Sequence, residues 1–516
     1  MRRLSAIFLV LACGACAHAR PPAAPDLRAT ERLAAADRLV QAGCYDCLIA
    51  AYREFDALRR NPVLGAAAGL RSISTAALVA LRERELGMAD SGHLDKARDA
   101  LGQAAGAPAD LSTVLEVVDL LPGSSLGPSH PPDNDIGLAR ASKLRANRDK
   151  YAGVLRDLAP EDPLSAYIWA SFMCGSIEAR DVDPDDIFTV ISGSRDQQPA
   201  TNLIAFRRAT CRDLDKDRLE ALLAREPRFV EASYLLGRIA VGRRDLDGAQ
   251  KLFEQAYAWH PRWPALTTAM ANIAMTAEEF GDAARYYDET LALDPFAADA
   301  KLGKVRALTY LARREDAIAV ADQMVASRWY VGDARYWRAL NEAQTQQYDA
   351  AWADVEEAGK LLMNAEVPKL AGIVAYRRGE LDAARTRFET SRTRNPGDCE
   401  TGFYLGLVLA DQRRWPQTAD VLVATGQCLD SMERRLMEEI AQVRSSSDPP
   451  VRKERQIARR EREIAGARRM RATSWFNIAV AYFSLSQPSE ARQYAERVID
   501  DEQFGERAKE ILSRLK

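Results

Sequence analysis

Alanines stand at 249, 283, 317 and 351, one every 34 residues, and no other feature restricts the fold of this chain as much. Pro227, Pro261 and Pro295 keep the same period, as do Phe253 and Tyr287. A period of that length is one supersecondary unit, and the residues within it say which. Ala249, Phe253 and Ala256 fall at i, i+4 and i+7, one face of a helix. Pro261 then stops that helix, because it has no amide hydrogen to donate and its ring clashes with the preceding turn. Small residues where two helices cross allow close approach, and the aromatic fills the wedge toward the next hairpin. One hairpin cannot bury its apolar face alone, so the units must stack into a solenoid.

The fullest unit runs from Val230 to Trp263, with Leu236-Gly237 in its first helix. With that content the chain resembles the tetratricopeptide family, whose first helix carries a Leu-Gly step and whose second carries small and aromatic packing residues before a terminal proline. Leu405-Gly406 repeats the step. Further units are expected at 264–297, 298–331, 332–364, 365–398 and 399–430. Ala371-Gly372, Ala384, Phe388 and Pro396 mark the unit at 365–398, after a slip of one residue, whereas 298–331 and 332–364 lack the proline and the aromatic. Near the end, Trp475, Ala479, Tyr482 and Ala491 recover the pattern, and ERAKEILSRL reads as a polar capping helix. Upstream, 27–61 is a diverged unit turning at Gly43-Cys44-Tyr45-Asp46, and 62–121 and 136–227 read as helical pairs. The expected architecture is all-α. Diverged repeats occupy 27–121, a Pro/Gly/Ser loop 122–135, repeat-like hairpins 136–227 and the main array 228–430. Basic linking helices follow at 431–471, then a last repeat with its cap at 472–516.

Hydrophobic residues at 47% and charged residues at 28% are ordinary for a folded chain, and a net charge of −3 supplies no global field toward nucleic acid. Arg2 and Arg3 precede the short apolar run LSAIFLVLA, which together read as an export signal over 1–19, followed by a Pro-rich tether at 20–26. Two exits compete. Leu9-Val10-Leu11-Ala12-Cys13 resembles a bacterial lipobox, with Cys13 acylated, although Leu11 is bulkier than usual there; Ala17-His18-Ala19 is an ordinary A-x-A cleavage site. The first gives a periplasm-facing or outer-membrane lipoprotein, the second a soluble periplasmic or secreted protein.

Export permits disulfides. Cys44, Cys47, Cys174, Cys211, Cys399 and Cys428 remain beyond the signal, an even number. Cys44-x-x-Cys47 has the spacing of a redox pair, in which one thiolate attacks and the other resolves, but the βαβ context is missing and a structural disulfide fits better. Cys399 and Cys428 bracket one antiparallel hairpin, which brings its two ends together. Cys174 and Cys211 pair by elimination. Asp181-x-Asp183-x-Asp185 opens like a calcium loop, yet Asp186 replaces the turn glycine and Ser192 the bidentate glutamate. These aspartates, and Asp213, Asp215 and Asp217, read as helix caps and first-turn charges. No phosphate loop, nucleophile elbow or zinc spacing is present. No cofactor or metal is therefore expected, and no catalytic residue can be named.

Residues 452–471 hold nine Arg or Lys against three Glu, which reads as a solvated linking helix or as a surface for anionic lipid or an acidic protein. The resemblance implies a concave face lined by the first helices. By helical phase it places Tyr234, Arg238, Asn272, Arg306, Tyr310, Tyr336, Lys369, Tyr376, Arg377 and Phe403 there. Tyrosines offer rigid contact area and arginines forked hydrogen bonds, a mixture suited to a protein or peptide partner. The implied function is a non-enzymatic interaction scaffold on the exported side of a bacterial membrane, serving envelope assembly, secretion or polymer export. Two rivals are an envelope enzyme with its chemistry in 62–227, and a redox protein using Cys44 and Cys47.

Overall fold

A left-handed residue turns each hairpin of the array. In the computed structural model, which describes residues 27–104, 109–121, 134–174, 201–211 and 213–515, Arg244, Glu278, Ala312 and Gln346 have φ of 63°, 61°, 59° and 63°. They keep the period of the alanine ladder, and Gly379 (79°) and Arg413 (57°) continue it past the slip. The next amide then reaches back: Asp245 donates to the Ala240 carbonyl at 2.9 Å, Glu279 to Ala274 at 2.8 Å, Arg313 to Leu308 at 2.9 Å and Gln347 to Glu342 at 2.8 Å. This cap satisfies a terminal carbonyl and reverses the chain. At a non-glycine residue the conformation costs roughly 1 kcal/mol, which the packing of each hairpin outweighs.

The described residues form twenty-five helices and no strand. Contacts divide the chain into two compact units. The first unit holds α1 (Leu27–Ala42), α2 (Tyr45–Leu58), most of α3 (Gly65–Leu86), α4 (His93–Gln103), α5 (Ala109–Leu120), most of α6 (Asn134–Ala146), α7 (Arg148–Leu158), α8 (Pro163–Cys174), α9 (Thr201–Ala209) and α10 (Lys216–Arg225). Gly43, at φ 70°, turns α1 into α2. At the core of this unit the fully buried Arg82 pairs with the fully buried Glu231 and donates to the Tyr167 hydroxyl at 2.7 Å. A buried charge of this kind is tolerated only when paired.

The second unit is the array. Its hairpins are α11 (Val230–Gly242), whose first residues through Ala232 belong to the first unit, with α12 (Leu246–Trp259), α13 (Pro264–Thr276) with α14 (Phe280–Leu293), and α15 (Ala298–Tyr310) with α16 (Arg314–Ala326). Next come α17 (Val331–Gln344) with α18 (Tyr348–Leu361), α19 (Glu366–Arg377) with α20 (Leu381–Arg394), and α21 (Cys399–Asp411) with α22 (Trp415–Ser445). Ala249, Ala283, Ala317 and Ala351 are each fully buried. A Cβ at Gly237 would overlap the Phe253 ring, and one at Gly372 the Phe388 ring. The aromatic of the second helix therefore packs on the glycine of its own hairpin as well as toward the next. The hairpins at 298–331 and 332–364 form without the proline signature; the first ends through Arg328 (φ 60°) and Tyr330 (φ 44°).

Two long helices follow where shorter pieces were expected. α22 continues through 430 to Ser445, and α23 (Pro450–Ser484) joins the basic stretch to the last repeat without a break at 471. They pack as a hairpin through Leu436, Ile440 and Ile464. α24 (Pro488–Glu496) and α25 (Gly505–Arg514) close the chain, with Phe476 stacked on Phe504 at 4.8 Å. No helix among the described residues is long and apolar enough to cross a membrane. The signal region 1–19, the tether, Cys13, residues 122–133 of the loop, Asp181 to Asp186 and Ser192 lie outside the described residues.

Candidate partner-binding groove

The first helix of each hairpin supplies the face on which the ten candidate residues were placed, and the structure sorts them by exposure. Arg238, Asn272, Arg306, Tyr310 and Arg377 are exposed. Tyr336, Lys369 and Tyr376 are half-buried, and Tyr234 and Phe403 are buried at 8% and 9%. Tyr234 lies 4.7 Å from the Trp263 ring and 5.8 Å from Phe253, so its main contribution is to packing. Phe403 meets Tyr404 edge-on at 5.4 Å.

Between α11 and α13 lies a depression of about 250 Å³ lined by Tyr234, Arg238, Val241, Ala269, Asn272 and Thr276. The Arg238 guanidinium stands 5.9 Å from the Tyr234 ring, and the Tyr287 hydroxyl donates to Asn272 Oδ1 at 2.6 Å. Farther along, Arg306 covers Trp337 at 5.9 Å. The far end is richer in charge. Lys369 Nζ faces Glu366 at 2.7 Å, Asp398 at 3.2 Å and Glu400 at 3.4 Å. Burial opposes its charge, but the hydrogen bond to Glu366 and the charges of Glu400 and Asp398 prevail and raise its pKa. The Tyr376 hydroxyl donates to Asp411 Oδ2 at 2.8 Å; burial, then Asp411, pushes that phenol up to about 12. Burial and then Glu366 do the same to Tyr336. Both tyrosines stay protonated donors at neutral pH.

Sequence phase missed three features. Tyr404, one position from Phe403, stacks on Phe388 at 5.7 Å and meets Tyr376 at 6.4 Å. Trp352 is flanked by the guanidinium groups of Arg378 and Arg387 at 5.4 and 5.8 Å. The third is that six arginines of the basic helix are committed to carboxylates of their own chain. Arg452 reaches Asp247 at 3.3 Å, Glu279 at 3.4 Å and Gln250 at 2.9 Å. Arg455 meets Glu279 at 3.4 Å, and Arg459 and Arg460 meet Glu278 at 3.0 and 3.4 Å. Nearer the α22 side, Arg468 and Arg471 bind Glu433 at 2.6 and 2.8 Å. Tyr310, stacked on Phe280 at 4.7 Å, takes Arg459 over its ring at 5.8 Å. The tip of the α22–α23 hairpin is thus clasped to the turns of the first three hairpins. The sequence signal was the spacing of Arg452, Arg455 and Arg459 on one helical face opposite a Glu278-Glu279 pair.

The cysteines form three disulfides, Cys44–Cys47, Cys174–Cys211 and Cys399–Cys428, with Cα separations of 5.0, 5.0 and 5.6 Å. Cys44 and Cys47, at the start of α2, are 1% and 2% exposed, whereas thiol exchange needs an accessible sulfur. Glu226 lies within 4.8 Å of them, but bonded sulfurs do not offer the thiolates that zinc takes. Asp215 caps α10, accepting from the Arg218 amide at 3.1 Å.

The tetratricopeptide repeat family model matches residues 216–265 and 268–309, and a second model of that description matches 472–500. No curated protein matches. Among solved structures, a thermophilic TPR protein of Thermus thermophilus is 19% identical, over 35% of this chain and 98% of its own, with a TM-score of 0.29. A tetratricopeptide repeat protein of Parabacteroides merdae is 17% identical, over 55% of this chain and 98% of its own, with a TM-score of 0.33. The Cut9–Hcn1 hetero-tetramer structure of the APC/C is 12% identical, over 95% and 94%, with a TM-score of 0.39. The chain carries tetratricopeptide repeats. Such repeats generally mediate protein–protein interaction, and the fold is typically that of a non-catalytic scaffold.

Proposed function

We propose that this chain is a non-enzymatic scaffold that holds a partner protein or peptide on the first-helix face of its array, on the exported side of a bacterial membrane. A lipid on Cys13 anchors it there, and its work belongs to envelope assembly, secretion or polymer export. The observation that carries this reading is the row of exposed polar side chains, Arg238, Asn272, Arg306 and Arg377, on first helices of one unit. Their backbones are fixed by buried alanine and glycine contacts, so the face is preorganised and loses little entropy on binding.

The test is a crosslinked pull-down from the native cell envelope, comparing the wild-type chain with Arg238→Glu, Arg306→Glu and Arg377→Glu combined. All three positions are exposed, so the fold should survive. A partner recovered with wild type and lost with the variant supports the groove. The same partners with both would move the function elsewhere. Cys13→Ser, followed by fractionation, tests the anchor: the lipidated form leaves the membrane fraction, and an unlipidated protein does not change its fraction.

A further inference from the structure

The first unit contains a cleft that the groove does not use. It encloses about 600 Å³ between α1, α2, α3 and the turn from α7 into α8, within the range of pockets that hold ligands. Leu70, Leu158 and Pro163 line it half-buried, over a base made by Phe55 and Leu78, each 1% exposed. An apolar group entering there covers surface that water otherwise wets. The rim is different in kind. Asp37, Asp157, Glu161 and Asp162 border it, against a single guanidinium, that of Arg71, which is already bound to Asp37 at 2.8 Å. Asp162 also accepts from the Ser165 amide and hydroxyl at 2.8 and 2.5 Å, which fixes its side chain at the mouth. The entrance is therefore negative and the interior apolar.

We infer that this cleft is a second recognition site, taking a polypeptide segment that presents a large apolar side chain beside lysine or arginine. The apolar side chain enters against Leu70 and Leu158, and the neighbouring cations lie against Asp157 and Glu161. Both halves are required. Charge alone at an exposed rim contributes little, and an apolar group alone does not select one segment from another. The volume exceeds what one side chain fills, so the flanking backbone enters with it, where the Ser74 and Thr75 hydroxyls supply hydrogen-bonding groups.

Three N-acetylated tripeptide amides test this on the full-length chain by saturation-transfer nuclear magnetic resonance: Lys-Phe-Lys, Glu-Phe-Glu and Lys-Ala-Lys. The expected result is saturable binding of Lys-Phe-Lys, at least tenfold tighter than either of the others. Asp157→Lys with Glu161→Lys, both at exposed positions, should weaken it at least tenfold and leave the helical circular dichroism and unfolding temperature in place. Arg392→Glu, exposed on the second helix of an array hairpin, should leave it unchanged. Equal binding of all three peptides, binding of none at millimolar concentration, or an unaltered affinity in the charge-reversed chain would each overturn the proposal.

Discussion

Arg452 and Glu279 stand 173 residues apart in the chain, and their guanidinium and carboxylate lie 3.4 Å apart. Around that pair, the α23 tip meets the first two hairpins through ion pairs and hydrogen bonds, and the third through the Arg459–Tyr310 ring contact. Attraction of this type is screened by salt, with a Debye length of about 3 Å at 1 M. The tip should release before the rest of the unit unfolds. Arg452→Ala with Arg459→Ala, or 1 M NaCl on the wild type, is expected to speed amide hydrogen exchange over 450–462 at least tenfold. Exchange over 472–484, packed by the Phe476–Phe504 stack, should not change. Equal acceleration of both segments would mean that the clasp is not a separate element.

Glu342 is a second electrostatic position with a measurable consequence. Burial, and then the neighbouring Asp354 carboxylate, pushes its pKa up to about 7 from the ordinary value of 4.5, despite Arg338. The folded state therefore holds a proton that the unfolded state has lost between those values. Stability contributed by this group is greatest below the unfolded pKa and falls as pH rises toward 7. Glu342→Gln should stabilise the protein at pH 8 by on the order of 2 kcal/mol, with no gain at pH 4. Denaturant melts at the two pH values check the sign.

Gly237 is held to glycine by the Phe253 ring, whereas Gly242, in the same helix, has nothing within 4 Å of the site of a Cβ. Gly237→Ala should cost about 1–3 kcal/mol through overpacking. Gly242→Ala should be neutral or favourable by up to about 1 kcal/mol. Thermal unfolding of the two variants separates a packing requirement from helix propensity.

Ala312, with φ of 59°, takes the left-handed turn that Gly379 takes at 79° in a later hairpin. Relief of the Cβ strain should outweigh the greater chain entropy of glycine in the unfolded state. Ala312→Gly is expected to raise stability by about 0.5 kcal/mol, read as an upward shift of the urea midpoint at constant slope.

The hairpin array was legible because its cause is periodic. Ala249 and its successors sit where helices cross, and Gly237 admits Phe253, so the sequence had to repeat small and aromatic residues at fixed intervals. The turns were not legible, since Arg244, Glu278, Ala312 and Gln346 are left-handed through the cap geometry and no residue type announces it. The slip before Gly379 shows the same point: the turn kept its place in the hairpin while the count moved by one. For the candidate face, helical phase found Arg238, Arg306 and Arg377, which are exposed. It could not tell that Tyr234 is wedged against Trp263, or that Lys369 is surrounded by Glu366, Asp398 and Glu400. Those facts depend on neighbours from the next hairpin. The clasp was harder still, because an ion pair spanning 173 residues leaves no period in the sequence.

The most direct test of the scaffold reading places a photo-crosslinking amino acid at Arg377, on the first-helix face, and separately at Arg392, exposed on the second helix of the same hairpin. Both proteins are irradiated in the native cell envelope and their adducts resolved by mass. The account predicts a discrete protein adduct from position 377 and none from 392. Adducts from 392 alone, or the same adducts from both, would contradict it.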